Sequence, residues 1–321
     1  MIVRFIIRRV VSGLLTMFAI SLVMFILFYV APNDPARTIA GPQVTFDVVE
    51  QIQRRLGLDR PLPEQYATYL GRLATGDLGT SFTQRRPVRD LIAVRLPATV
   101  LLTGTALVLS TAAGLALGVW AGRRPRGPLG AAVNVGAVVS YALPGFWLAQ
   151  LAILVVALRA GLLPAGGLND ARAGHTGAAA VVDTARHLVL PALVLAVSEV
   201  ALLVRVTRAG LLAEGGREYV RTARAKGASD RQVVRHHALP NALLPIVTVV
   251  GSRVGFLVSG AVLVESVFNW PGLGRLLVES GQSGDHPVIL GIVLLVALAV
   301  VVANLVTDLV YAWIDPRIRH R

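Results

Sequence analysis

Long hydrophobic runs restrict the possible folds of this chain more than any other feature. The first, from Val10 to Ala31, contains no charged residue and follows Arg4, Arg8 and Arg9. As a helix it would measure about 33 Å, which is enough to cross a hydrocarbon core of about 30 Å. The run exceeds the apolar part of a cleaved signal peptide, so we expect it to remain as a membrane anchor.

Five further hydrophobic runs follow the first, at residues 97–121, 129–158, 188–206, 245–264 and 288–313. Only helices and closed barrels satisfy their backbone hydrogen bonds inside lipid. The runs therefore predict an all-α polytopic protein with six transmembrane helices. The 129–158 run is too long for one straight crossing, and Pro144-Gly145 in its middle predicts a kink or break.

The charge distribution predicts which side of the membrane each loop occupies. An even number of spans places both termini on one side, and basic short loops are typical of the cytoplasmic side. Basic residues are concentrated at the N-terminus, in the Arg123–Arg126 loop, in residues 217–245 and in the tail. The loop between the last two runs is acidic by comparison. We therefore expect cytoplasmic termini, and the formal net charge of +13 needs no nucleic-acid partner to explain it.

These assignments divide the chain into an N-terminal transmembrane helix (1–31), an extracytoplasmic segment (32–96), a five-helix core (97–314) and a cytoplasmic tail (315–321). Within 32–96, Thr45 and Pro63 are suited to begin two short amphipathic helices. Gly114 and Gly118 form a GxxxG pattern that permits close helix packing. We expect the 32–96 segment to receive another protein or to cover the outer mouth of the bundle.

Residues 217–245 form a basic segment between two hydrophobic runs, REYVRTARAKGASDRQVVRHHALPNALLP. The residues around Arg221 favour a first helix, which Gly227 is suited to end. Ser229 or Asp230 is suited to cap a second helix, and we expect Pro240 and Pro245 to stop it. A basic helix that lies on anionic lipid is the simpler alternative for such a segment.

Within this segment, Thr222-Ala223, Gly227 and Leu239-Pro240 have the spacing of the EAA loop of binding-protein-dependent ABC importer permeases, which the segment resembles. Arg221 and Thr222 stand where the general pattern has Glu and Ala, and His237 stands where it has Ile. These departures resemble the form found in the dipeptide, oligopeptide and nickel permease branch. Other stretches resemble that branch in the same order: APNDP at 31–35, LGLD at 56–59, GDLG at 76–79, RLP at 95–97, SVFNWPGLG at 266–274 and DPR at 315–317.

The resemblance implies a type I (MetI-like) permease core with an extra N-terminal helix and an extracytoplasmic insertion. It also implies the partners: a second permease subunit, two ABC ATPases that bind ATP and Mg, and an extracytoplasmic binding protein that delivers peptides. In that family the EAA loop forms a coupling helix that docks in a cleft of the ATPase. By position, the coupling residues implied here are Thr222, Ala223, Gly227, Leu239 and Pro240.

The sequence carries none of the catalytic motifs that we would expect of a motor or a hydrolase. Its one lysine, Lys226, is followed by Gly227 and Ala228, so no GxxxxGK[ST] loop is present to bind ATP phosphates. The chain has no cysteine, which excludes disulfides, thiolate metal sites and thiol nucleophiles. We therefore expect no catalytic residue, metal or cofactor in this chain, and ATP hydrolysis by separate subunits.

Two charged residues, Glu199 and Arg253, lie within hydrophobic runs. Counted from the cytoplasmic ends of their runs, they lie at depths of about 10 and 12 Å. A charge at the centre of a membrane helix is costly and usually faces a cavity or a partner. We predict that the two residues pair and line or brace the pathway; the alternative is that water or the partner permease satisfies each one separately.

Other cargoes and other protein classes remain open at the level of sequence. The same type of importer carries nickel chelates, glutathione or oligosaccharides when its binding protein differs. A proton-coupled secondary transporter would need inverted repeats and an acidic relay, and Glu199 alone is little support for one. A membrane scaffold without transport activity would not need an EAA-like loop.

Overall fold

The computed structural model describes residues 2–30, 45–57, 59–123 and 128–314. Within these residues the chain is helical, and the pair of residues Thr80 and Pro87 forms an isolated β-bridge outside any strand. The helices are α1 (Ile2–Val30), α2 (Phe46–Leu56), α3 (Leu62–Ala74), α4 (Val88–Arg123), α5 (Pro128–Ala142), α6 (Gly145–Ala152), α7 (Ala178–Gly215), α8 (Glu218–Ala225), α9 (Asp230–Gln232), α10 (Leu239–Val267), α11 (Leu273–Ser283) and α12 (His286–Ile314). Two π-helical segments, Ile153–Arg159 and Val233–Ala238, continue α6 and join α9 to α10. The predicted all-α fold class is confirmed.

Four described helices, α1, α4, α7 and α12, are long and apolar enough to cross a membrane. A fifth span is obtained if the bent pair Asp230–Leu243 and Pro245–Arg253 is taken as one crossing. The predicted 129–158 span is divided, because α5 ends at Ala142 and α6 begins at Gly145. The break at Pro144 is confirmed, and the count of six spans is not.

The helices extend beyond the hydrophobic runs that predicted them. Helix α4 begins at Val88 and contains Pro97, so the boundary drawn at Leu96 falls inside a continuous helix. Helix α7 begins at Ala178, ahead of the 188–206 run that predicted it. Hydropathy detects only the part of a helix that lies in lipid, whereas backbone hydrogen bonding continues into polar sequence. The APNDP stretch, the loop arginines Arg124 and Arg126 and the DPR tail lie outside the described residues.

The core of the bundle is the contact between α4 and α7. A Cβ added at Gly114 would lie 2.4 Å from Leu203 Cβ, and one at Gly118 would lie 2.5 Å from Thr207 Cβ. Such distances leave no room for a side chain, so the two glycines permit the close approach that their spacing predicts.

The neighbouring apolar cluster includes Trp270, which is fully buried and donates its indole N–H to the Ala98 carbonyl at 2.9 Å. Trp270 is therefore a core residue and does not anchor the chain at the membrane surface.

At the end of α10, the buried carboxylate of Glu265 holds the start of α11. It accepts the backbone N–H groups of Gly274 at 2.7 Å and Arg275 at 3.1 Å, and the Thr99 hydroxyl of α4 at 2.7 Å. The first N–H groups of a helix have no partner within the helix, and a carboxylate placed there also interacts favourably with the helix dipole. Glu265 therefore caps the N-terminus of α11.

The described residues between α1 and α4, 45–57 and 59–87, contact the bundle through α1 and the start of α12. On α3, Tyr66 shares a hydrogen bond of 2.8 Å with Ser21 of α1, and its ring contacts Phe18 and Phe25. Asp285, just before α12, is fully buried and accepts hydrogen bonds from residues 81–83. Both short helices of this stretch form where they were predicted, although the Thr45 side chain makes no capping bond.

Candidate functional site

Helix α8 carries the Thr222-Ala223 pair and packs against the chain through one face only. Val220 and Ala223 are buried against Val233. The opposite face is exposed and includes Arg221 and Arg224. The arrangement is a short amphipathic helix with a basic surface that the described residues leave uncovered.

Gly227 ends α8 in the conformation that the sequence suggests. Its φ is +85°, in the left-handed region that glycine adopts without steric cost. Its N–H donates to the Arg224 carbonyl at 2.9 Å. Two residues later, Ser229 caps the next helix in a reciprocal capping box with Gln232. The predicted helix, glycine turn and second helix are all observed.

The two prolines expected to stop the second helix do not stop it. The chain continues through the π-helical segment Val233–Ala238 into α10, and both Pro240 and Pro245 lie inside that helix. Pro240 is tolerated because it lies in the first turn of α10, where its missing N–H costs little. Around Pro245 the helix bends by 51°. The segment is therefore joined to a hydrophobic helix by a bent but unbroken element.

A hydroxyl bridge that the sequence did not suggest connects α8 to its two neighbours. The Tyr219 hydroxyl donates to the Glu214 carboxylate at the end of α7 and accepts from Asn241 Nδ2 of α10 at 3.1 Å. Asn241 also donates to the His237 carbonyl at 2.9 Å. Burial, followed by the hydrogen bond to Glu214, raises the pKa of Tyr219. No sequence motif signals the bridge, because its members lie on three different helices.

The five residues implied as coupling residues divide into two groups. Thr222, Gly227 and Pro240 are exposed. Ala223 is buried beneath α8, and Leu239 packs on the cluster formed by Leu211 and its neighbours. The exposed three are accessible to a partner, whereas Ala223 and Leu239 hold the segment in place.

Glu199 of α7 and Arg253 of α10 meet inside the bundle. Arg253 Nε lies 3.5 Å from Glu199 Oε2, and the two side chains are 20% and 12% exposed, respectively. The distance is that of an ion pair without an ideal hydrogen bond. The depth count from the sequence predicted this proximity, and the role of the pair in a pathway stays a prediction.

Comparison with known protein families identifies the family of this chain. Residues 114–320 match the family described as "Binding-protein-dependent transport system inner membrane component". Residues 2–103 match the N-terminal family of the same membrane components. The chain belongs to this permease family. It is the membrane-spanning subunit of an ATP-driven importer of the peptide, oligopeptide and nickel branch.

Individual relatives of the permease extend over its whole length. It is 40% identical to the glutathione transport system permease protein GsiC of Escherichia coli strain K12, over 99% of both chains. It is 38% identical to a protein named as a peptide permease from Brucella suis biovar 1, over 98% of this chain and 99% of the relative. It also superposes on a chain of the inward-facing MetNI methionine ABC transporter with a TM-score of 0.56 and 21% identity, covering 71% of this chain and 97% of the other. That likeness shows the MetI-like fold.

Proposed function

We propose that the permease carries short peptides, delivered by an extracytoplasmic binding protein, and that residues 217–245 couple its movement to ATP hydrolysis in two partner ATPases. The observation that carries the proposal is the exposed basic helix α8, which packs on its own chain through one face and is tied by Tyr219 to both α7 and α10. A helix that only rested on lipid would not need a hydroxyl bridge to both neighbouring helices.

The geometry of the segment supports transmission of force. Val220 and Ala223 attach α8 to the π-helical segment, and Tyr219 ties it to α7 and α10. A packed helix moves as a body, so a push on its exposed face is passed to the ends of two hydrophobic helices. In this proposal α8 lies on the cytoplasmic side, as do both termini, in agreement with the basic charge on that side.

The cargo class is proposed from the relatives. One relative is named for glutathione, which is a tripeptide, and another for peptides. The Glu199–Arg253 pair offers charges of both signs within the bundle, and a short peptide also carries charges of both signs. We propose that the pair braces the pathway in which such a zwitterionic solute moves. Nickel chelates and oligosaccharides are the competing cargoes.

Reconstitution tests both parts of the proposal. Liposomes would hold the permease, its second permease subunit and the ATPases, with the binding protein added outside. We expect uptake of di- and tripeptides that requires ATP and the binding protein. Uptake without any dependence on ATP would contradict the coupling proposal, whereas ATP-dependent uptake of only nickel chelate or oligosaccharide would contradict the cargo proposal.

A further inference from the structure

A cavity of about 850 Å³ lies at the end of the bundle opposite the coupling segment. It is enclosed by α1, α3, the residues around Gly57, the stretch from Asp77 to Arg85 and the start of α12. Its size falls within the range of small-molecule pockets, about 300–1,000 Å³, and greatly exceeds the space that one inorganic anion needs. Neither the coupling mechanism nor the cargo proposal uses this cavity.

The floor of the cavity is formed by residues of two helices that are long and apolar enough to cross a membrane. Phe25 belongs to α1 and Leu290 to α12, both of which are long enough to span the bilayer. The two helices run antiparallel, with Arg9 paired to Asp308 at one end and the Phe28 ring against His286 at the other. Phe25 and Leu290 therefore lie about one helical turn inside the end of the span. The cavity therefore extends from the apolar part of these two helices to a polar surface that carries arginines.

The walls of the cavity are strongly basic. Arg60, Arg72 and Arg85 line it from three separate segments, and the structure shows no carboxylate within ion-pair distance of any of them among the described residues. Arg54 also lines the cavity but is paired with Glu50 at 2.5 Å. Among the described residues that line the cavity, Asp77 is the one carboxylate, and it accepts the N–H of Gly79 within its own loop at 2.9 Å. An excess of guanidinium groups over carboxylates makes an anion the expected occupant.

A hydroxyl group adds a hydrogen-bond donor to the arginines. The Tyr69 hydroxyl oxygen is buried and has no hydrogen-bond partner among the described residues, and Tyr69 lines the cavity. A buried polar group normally has a hydrogen-bond partner. A ligand atom that bonded to the Tyr69 hydroxyl would remove the free-energy cost of leaving that group unsatisfied. Burial raises the pKa of Tyr69 to about 12, and the nearby Tyr66 adds to this effect. The group therefore stays protonated and able to donate at neutral pH.

We propose that this cavity binds the headgroup of an anionic phospholipid. Arg60, Arg72, Arg85 and the Tyr69 hydroxyl hold the phosphate group, and the acyl chains lie along the apolar floor beside Phe25 and Leu290. The guanidinium group matches the geometry of phosphate oxygens, and an Arg-rich surface at the membrane boundary favours anionic lipids. An acidic loop of the binding protein would satisfy the arginines but would not use a floor that lies below the membrane surface. In the orientation proposed above, the lipid belongs to the outer leaflet.

Lipid retention by the purified permease complex tests this site. The complex would be taken from nanodiscs with equal amounts of phosphatidylglycerol and phosphatidylcholine, and the lipids retained would be counted by native mass spectrometry. We expect wild type to retain phosphatidylglycerol in preference. The triple variant R60Q/R72Q/R85Q should retain it at least about tenfold less, since each arginine near an anionic surface contributes favourably. Tyr69→Phe should weaken retention by a few fold, because it removes one hydrogen bond.

A matched triple variant controls for loss of charge. R86Q/R89Q/R172Q removes three exposed arginines that do not line the cavity and should retain the lipid as wild type does. Equal loss in both triple variants, or equal retention of the two lipids by wild type, would overturn the proposal.

Displacement of phosphatidylglycerol by millimolar inorganic phosphate would assign the site to a free anion instead. Unchanged lipid retention in R60Q/R72Q/R85Q with loss of binding-protein docking would assign the arginines to that protein. Should R60Q/R72Q/R85Q fail to fold, the Tyr69→Phe comparison decides.

Discussion

Replacement of Gly227 by proline tests whether the turn after α8 is a mechanical joint. Gly227 has φ +85° and donates its N–H to the Arg224 carbonyl at 2.9 Å. Proline fixes φ near −65° and has no N–H, so it can keep neither feature. The observed turn would have to change, while the hydrophobic helices on either side would still insert.

The size of the effect follows from these two losses. A residue with a side chain costs about 1–2 kcal/mol in the left-handed conformation, and a lost backbone hydrogen bond costs about 0.5–1.5 kcal/mol. For proline their sum is a lower bound, because its ring excludes φ +85°, so the observed turn is disfavoured by at least about 2.5 kcal/mol, or roughly 60-fold. No atom of the described residues lies within 4 Å of a Cβ built at Gly227, so no steric clash of the Cβ adds to this cost. The effect is therefore specific to the backbone conformation.

Liposomes that contain the complete importer provide the assay. For Gly227→Pro we expect normal membrane insertion and continued ATP hydrolysis, with peptide uptake per ATP reduced at least about tenfold because the joint is displaced. Gly227→Asn is the matched control, since asparagine tolerates the left-handed conformation and retains the N–H. Normal coupled uptake in Gly227→Pro, or an equal loss in Gly227→Asn, would refute the reasoning.

Three further contacts can be tested by substitution. Tyr219→Phe removes the hydroxyl bridge between α7, α8 and α10, so uptake per ATP should fall several-fold at unchanged protein level; unchanged coupling would remove the bridge from the mechanism. Glu199→Arg and Arg253→Glu should each abolish uptake and the double swap should restore part of it, whereas no recovery would argue against direct pairing. Glu265→Ala leaves the buried N–H groups at the start of α11 without an acceptor and should destabilise the protein by about 2–4 kcal/mol, seen as a lower Tm in detergent; an unchanged Tm would show that water replaces the carboxylate.

Much of the fold was predictable because its determinants are local in the sequence. The apolar run after Val10 predicts α1, and the dipeptide Pro144-Gly145 predicts a break that the structure shows. Helix ends were less predictable, since α4 and α7 continue for about ten residues beyond their apolar parts. The prediction that Pro240 stops a helix was wrong, because a proline in the first turn of a helix does not end it.

By itself the sequence determined the helical membrane class, the family and the glycine turn at Gly227, because hydropathy, motif spacing and backbone conformation depend on neighbouring residues. Only the tertiary structure decided that Tyr219 bridges three helices, that Trp270 is buried and that the arginines at 60, 72 and 85 surround one cavity. These arrangements depend on how distant helices pack. Local sequence patterns do not show which side chains face each other across a bundle. The contact between Glu199 and Arg253 was partly predictable. The depth of each residue in its hydrophobic run could be counted from the sequence, but their contact also depends on the packing of α7 against α10.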